Sequence, residues 1–126
     1  MFVTMVFFHI IDDFYLQGIL AQMKQKEWWR SQTEDAMYKY DYIVALLCHA
    51  FSWTCMIHIP AVVYMICFHT GLSRPWLYAV LFVAMWLLHA VVDDLKANKH
   101  TINLIQDQFA HILQIVLVLS LYIKGA

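Results

Sequence analysis

The chain has 126 residues, of which 63% are hydrophobic and only 13% are charged, and its net charge is −1. Soluble domains are about 45–50% apolar and about 25% charged, and a chain this small cannot bury so much apolar surface in water. The composition therefore argues against a soluble domain and favours an integral membrane protein, and the near-neutral charge argues against nucleic acid as a partner.

Four stretches of the chain are long and apolar enough to form transmembrane helices, which need about 20 such residues. We predict one all-α domain over residues 1–126, a four-helix transmembrane bundle. Pro60 lies inside the second stretch and is the expected site of a kink. The four predicted helices cover residues 2–23, 41–68, 76–95 and 101–123.

The connection between the first two helices is rich in charge and contains Trp28 and Trp29. This composition predicts a short interfacial segment, either an amphipathic helix on the membrane or a plain loop. Most basic residues fall in connections one and three, which places these two in the cytoplasm by the positive-inside rule. They are Lys24, Lys26, Arg30, Lys39, Lys96 and Lys99, against Arg74 and Lys124 on the other side.

Histidine and aspartate recur at a regular spacing inside the predicted helices. Residues four apart share one face of a helix, and ionisable groups within membranes usually face the interior and serve a function. Counted along the helices, most of these groups fall in the half nearer connections one and three. The pairs are His9 with Asp13, His89 with Asp93, and Asp107 with His111, and His49 stands alone on the second helix.

Imidazole and carboxylate groups together form a ligand set for a divalent transition metal, with zinc favoured and iron or manganese as alternatives. Two metal ions, or one ion with the remaining groups in supporting roles, both fit the number of candidates. Hydrogen-bonded pairs that hold the helices together without metal are the structural alternative. The candidate metal ligands are His9, Asp13, His49, His89, Asp93, Asp107 and His111, and the candidate catalytic residues are Asp13, Asp93, Lys96 and Gln17.

These motifs together resemble a known family. The segments HIIDDFYLQ, LLCHAFSW, LLHAVVDDLK and DQFAHILQI are similar to those of the small bacterial and phage membrane proteins catalogued as domain of unknown function 3307. The resemblance implies a bacterial or phage source and an inner-membrane location, and it leaves the reaction open. It carries the family pattern onto His9, Asp13, Phe14, Gln17, His49, His89, Asp93, Lys96, Asp107, Gln108 and His111.

By analogy, the arrangement is also similar to membrane-bound metal-dependent hydrolases, in which transmembrane histidines hold zinc. The leading hypothesis is such a hydrolase acting on a lipid or lipid-linked substrate near the cytoplasmic face, with one aspartate as general base. Lys96 would steady negative charge at the mouth of the site. One alternative is an ion, metal or proton transporter, with a path along the axis of a homo-oligomer. Another is a non-catalytic membrane accessory or phage–host interaction protein. A haem held by histidines is a further alternative.

Overall fold

The computed structural model describes residues 1–68 and 75–125, and all regular structure in these residues is helical. Arg74 lies outside the described residues. It is one of the two basic residues that the predicted orientation places on the side opposite connections one and three. The elements are α1 (Phe2–Ile11), a π-helical turn (Asp12–Leu16), α2 (Leu20–Met23), α3 (Lys26–Gln32), a 3₁₀ turn (Ala36–Tyr40), α4 (Asp41–Cys67), α5 (Pro75–Ala97) and α6 (Leu104–Gly125).

Three helical segments in the described residues are long and apolar enough to cross a membrane: Ala36–Cys67, Pro75–Ala97 and Leu104–Ile123. Pro60 lies within α4, which is helical on both sides of it. Large apolar side chains also cover the outer surface of the helices, where Val3, Ile66 and Ile105 are more than two-thirds exposed. An exterior of this kind suits contact with lipid and is consistent with a membrane protein.

The first predicted helix, over residues 2–23, is not continuous. Regular helix gives way to the π-helical turn at Asp12, and the chain then bends at Gly18 before the single turn of α2. Gly18 has φ +48°, a left-handed conformation that favours glycine because other residues would bring a Cβ against the backbone. The sequence pattern missed this break because the stretch is apolar on both sides of it.

The long helices surround one interior. α1 packs against α4 and α6, and α5 packs against the same two helices, which closes the ring. One end of this interior lies next to the α1–α4 and α5–α6 connections. Toward the opposite end, apolar side chains fill the interior. They include Met5 of α1, Trp53 and Ile57 of α4, Met85 of α5, and Ile115 of α6, all at most 4% exposed.

The connections after α1 and after α5 meet at one end of the bundle. The side chain of Asn98, just after α5, donates to the Lys24 carbonyl at 3.0 Å and accepts from the Lys26 main-chain N–H at 2.7 Å. The indole of Trp29 on α3 donates to the Met23 carbonyl at 2.7 Å. These bonds attach α3 to the end of the bundle and place both basic connections on the same side of the protein.

Candidate metal centre

A cluster of histidine and aspartate side chains fills the interior next to that end of the bundle. It draws on the π-helical turn that follows α1 and on α4, α5 and α6, so every side of the helix ring contributes. Its members are almost inaccessible to solvent. The exposed fractions are 6% for Asp13, 1% for His49, 0% for His89, 2% for Asp93, 0% for Asp107 and 0% for His111.

The π-helical turn begins with two consecutive aspartates, and both of them are buried. In an α-helix, neighbours point about 100° apart, so Asp12 and Asp13 would face different directions. Here the Gln17 N–H bonds the Asp12 carbonyl five residues back, at 3.1 Å, which widens the turn. Both carboxylates contact α4, where Ser52 Oγ donates to Asp12 Oδ1 at 2.5 Å and His49 Nε2 lies 3.2 Å from Asp13 Oδ1.

His49 lies at the centre of the first half of the cluster. Its Nε2 is 3.2 Å from Asp13 Oδ1, 3.4 Å from Asp93 Oδ2 and 3.5 Å from Nε2 of His89. Its other ring nitrogen, Nδ1, faces Asp12 Oδ2 at 3.7 Å. This distance is too long for a hydrogen bond, and neither atom has a hydrogen-bond partner among the described residues.

His111 lies at the centre of the second half. Its Nε2 is 3.3 Å from Asp107 Oδ1 and 3.5 Å from Asp93 Oδ1, yet it is aligned for a hydrogen bond with neither oxygen. Asp107 Oδ1 also has no hydrogen-bond partner among the described residues. Buried polar atoms are nearly always paired, so converging but unpaired nitrogen and oxygen atoms indicate a place for a further group between them.

The separations in the cluster fit a metal ion. A tetrahedral zinc ion with bonds of about 2.0–2.2 Å holds its nitrogen and oxygen ligands roughly 3.3–3.5 Å apart, close to the 3.2–3.5 Å found around His49 and His111. Three overlapping groups have ligand atoms that all lie within 4.8 Å of one another. They are Asp13, His49 and His89; His89, Asp93 and His111; and Asp13, Asp107 and His111.

The charges in the cluster also fit a divalent cation. Two lysines neutralise part of it, since Lys24 Nζ lies 2.6 Å from Asp93 Oδ2 and Lys96 Nζ lies 2.6 Å from Asp107 Oδ2. Four buried carboxylates, including Asp12 and Asp13, face these two ammonium groups. With neutral imidazoles, two negative charges therefore remain, and buried charge without compensation is costly. One divalent cation would balance them.

His9, a predicted metal ligand, belongs to none of the three groups. The indole of Trp53 can only donate, and it does so to Nδ1 of His9 at 2.7 Å, so the ring proton lies on Nε2. That nitrogen is 3.0 Å from Gln108 Oε1, and Gln108 in turn donates to Asp13 Oδ2 at 2.9 Å. Both nitrogens of His9 are thus occupied, and the residue holds Gln108 in position beside the cluster.

Two of the predicted catalytic residues lie away from the centre. The Gln17 side chain donates to the main-chain carbonyl of Asp13 rather than to a cluster side chain. Lys96 reaches the cluster from its edge, with its side chain 36% exposed and its ammonium on Asp107. Phe14, part of the family pattern, faces outward and is 56% exposed.

Four residues outside the predicted set of metal ligands and catalytic residues support the cluster. Asp12 and Lys24 are charged partners, Ser52 fixes Asp12, and the Trp53 ring stacks on His89 with centroids 4.1 Å apart. The composition around Lys24 predicts an interfacial segment, and nothing in the spacing of this residue links it to α5. A serine or tryptophan in an apolar helix carries no signal of its own.

The fold and site define a helical protein with three candidate membrane spans and buried His/Asp groups that could hold a metal ion. No protein-family model, no curated protein and no solved structure matches the chain. The resemblance to the family of unknown function therefore stays a prediction, and function is argued from the site alone.

Proposed function

We propose that this protein is a membrane-embedded metal-dependent hydrolase that acts on a lipid or lipid-linked substrate. The observation that carries the proposal is the buried cluster, in which six predicted ligands converge at metal-like separations around four carboxylates and only two lysines. Zinc is the favoured ion because its ligands are imidazole and carboxylate, with iron and manganese next.

The proposed role of each side chain follows from the groups that surround it. The metal would be held by the histidines of the three ligand groups, which join His49 to His89 and Asp13, and His111 either to His89 and Asp93 or to Asp13 and Asp107. A bound divalent metal supplies a water nucleophile at neutral pH and polarises the bond to be cleaved. The cluster contains more carboxylates than one metal ion requires. One carboxylate is therefore free to act as general base.

The ion pair of Asp93 with Lys24 makes this carboxylate the less available base, because its Oδ2 already accepts from a buried ammonium at 2.6 Å. Asp13 is held by Gln108, a neutral donor, and it lies beside His49. We therefore assign Asp13 as the base. Lys96, partly exposed at the edge of the cluster, would contact the negative charge of a headgroup.

Hydrolysis is favoured over transport by what lies beyond the cluster. The interior toward the other end of the bundle is packed mostly with apolar side chains, among them Ile57, Met85 and Val118, and its buried polar groups, which include His58 and Gln114, are few. A path for ions through a membrane needs polar groups along its length. A polar centre that is closed on one side and edged by a partly exposed lysine on the other suits a reaction at one membrane face.

The proposed membrane arrangement has α1 and its π-helical turn as a fourth membrane segment beside the three spans. Support comes from the outward-facing apolar residues of this segment, including Val3, Phe7 and Phe14, which are 56–78% exposed. Connections one and three would lie in the cytoplasm of a bacterial cell, by their six basic residues.

The first test is the metal content of the protein, purified in mild detergent without a histidine tag, by elemental mass spectrometry. We expect one or two zinc, iron or manganese ions per chain, lost in the double variant His89→Ala/His111→Ala. The matched control is His58→Ala/His100→Ala, which also removes two histidines but leaves the cluster intact. Absence of metal from the wild type after reconstitution, or equal metal in both variants, would overturn the metal site.

The second test is turnover by the metal-loaded protein in nanodiscs with a panel of lipid esters, amides and phosphates. We expect hydrolysis that chelation abolishes, that metal restores, and that Asp13→Asn reduces by about 10²–10⁴-fold, the contribution of a general base. Bound metal without turnover of any lipid in the panel would refute the hydrolase and leave a metal site of another purpose.

A further inference from the structure

A pocket lies between α3, the 3₁₀ turn and the start of α4, at the end of the bundle that carries the basic connections. Its volume is about 530 Å³, in the range of small-molecule sites. Four of its lining residues, Lys26, Trp29, Arg30 and Thr33, follow the i, i+3, i+4, i+7 spacing that places side chains on one face of a helix. One face of α3 is therefore turned toward the pocket. None of the lining residues belongs to the metal cluster.

Three positively charged side chains line this pocket. Lys26 and Arg30 come from α3, and Lys39 comes from the 3₁₀ turn. Within the described part of the chain, every ion pair of a lysine or arginine with a carboxylate involves a lysine other than these. Like charges around one pocket repel one another, and an anion that enters would be attracted by all three.

The aromatic side chains of the pocket favour an anion over a cation. An aromatic cage binds a quaternary ammonium through the faces of its rings. Here the protein's own ammonium groups lie over two of the rings, since Lys26 Nζ is 4.7 Å from the centroid of Tyr42 and Lys39 Nζ is 5.4 Å from that of Tyr40. A cationic ligand would be repelled by these charges, whereas an anion would pair with them.

Two acidic side chains also line the pocket and limit the charge of the anion that fits. Asp35 Oδ1 accepts from the Met37 N–H at 2.9 Å and caps the 3₁₀ turn, and Glu34 is exposed. With three positive and two negative side chains, the lining carries one net positive charge. A phosphodiester has a single negative charge and would balance it. Thr33 Oγ1 accepts from the Asp35 N–H at 3.1 Å, and its own O–H can donate to such a group.

The pocket lies at the depth of lipid headgroups in the proposed membrane arrangement. α4 has 27 residues and is about 40 Å long, so it exceeds the hydrocarbon core of about 30 Å and reaches into the headgroup region. Tyr42 lies in the first turn of α4, and Trp29 is of the residue type enriched at this boundary. We propose that the pocket binds the phosphodiester of an anionic phospholipid, with Lys26, Arg30 and Lys39 around the phosphate and the acyl chains in the bilayer beside α4.

The test is a titration of the full chain, with ¹⁵N-labelled arginine, in uncharged dodecyl maltoside micelles. The Nε resonance of Arg30 is identified by its absence in Arg30→Gln. The probe is dioctanoylphosphatidylglycerol, and the matched control is dioctanoylglycerol, which has the same chains without the phosphate. We expect the phospholipid to shift the Arg30 resonance to saturation and the diacylglycerol to leave it unchanged. Equal responses to both probes, or to neither, would overturn the proposal.

Two further comparisons assign the effect to a lipid and to the pocket. Inorganic phosphate at the same concentration should give a much smaller shift because it has no acyl chains in the micelle; an equal shift would assign the pocket to free phosphate and refute the lipid. Lys39→Gln should weaken phosphatidylglycerol binding about fivefold, the contribution of one basic residue near a membrane surface. Lys99→Gln removes an exposed lysine outside the pocket and should change the binding little. Equal weakening by both variants would indicate diffuse attraction to the protein surface and refute the site.

Discussion

Replacing Lys24 by methionine tests the charge balance of the cluster. Lys24 is 9% exposed, and its ammonium lies 2.6 Å from an Asp93 carboxylate that is 2% exposed. The change keeps most of the aliphatic stem but leaves Asp93 without its cation, and the cluster passes from two to three uncompensated negative charges. Breaking a buried ion pair in this way costs about 3–5 kcal/mol because the remaining charge stays buried.

A solvent-facing ion pair in the same part of the chain supplies the control. Lys99 Nζ lies 3.4 Å from Asp94 Oδ2, with side chains 54% and 19% exposed. Exposed pairs of this kind contribute about 0–1 kcal/mol, so Lys99→Met should change stability little. The measurement is unfolding of metal-free protein by added SDS in mixed micelles, followed by circular dichroism, for both variants and the wild type.

The double variant Lys24→Met/Asp93→Asn extends the test, because it removes both charges of the pair. We expect it to recover part of the stability lost in Lys24→Met, since a missing pair is less costly than a broken one. Equal stability of Lys24→Met and Lys99→Met would refute the reasoning, because it would mean that Asp93 is protonated or hydrated in the folded protein.

Three other changes test separate parts of the structure. Gly18→Ala should lower the free energy of unfolding by about 1–2 kcal/mol because of its positive φ, measured by the same SDS titration; no loss would mean that the bend after the π-helical turn is not fixed. Trp53→Phe keeps a ring on His89 but removes the donor to His9, and it should cost about 1–3 kcal/mol while metal content stays unchanged; loss of metal would show that His9 serves the site directly. Asp107→Asn should weaken zinc binding by at least tenfold in a chelator competition, and unchanged affinity would remove Asp107 from the ligand set.

The sequence predicts the membership of the cluster well because most of it rests on helical periodicity. His89 with Asp93, and Asp107 with His111, lie in unbroken helices, so the spacing of four residues places each pair on one face. Their approach to each other across helices, such as His111 Nε2 at 3.5 Å from Asp93 Oδ1, depends on tertiary packing. The spacing alone identifies the helix face on which each pair lies, but it does not identify the residues of other helices that the pair contacts.

The same rule fails on the first helix, where the backbone departs from α geometry. Periodicity turns Asp12 away from Asp13 and makes His9 an equal partner of Asp13. The wider π-helical turn instead buries both aspartates and leaves His9 one layer further in, bonded to Trp53 and Gln108. A π-helical turn has no residue signature comparable to that of proline or glycine. Such turns are frequent at functional sites, but this tendency does not indicate where in a sequence one will form.

The hydrogen bonds of Asn98 have a consequence for the order of folding. They join the end of α5 to the Lys24 carbonyl and the Lys26 N–H, which lie 74 and 72 residues away in the sequence. The buried ion pair of Lys24 with Asp93 spans a similar separation of 69 residues. Contacts between such distant segments form only after a long loop has closed. We therefore expect the polar centre to be completed late in folding, after the long helices have packed together.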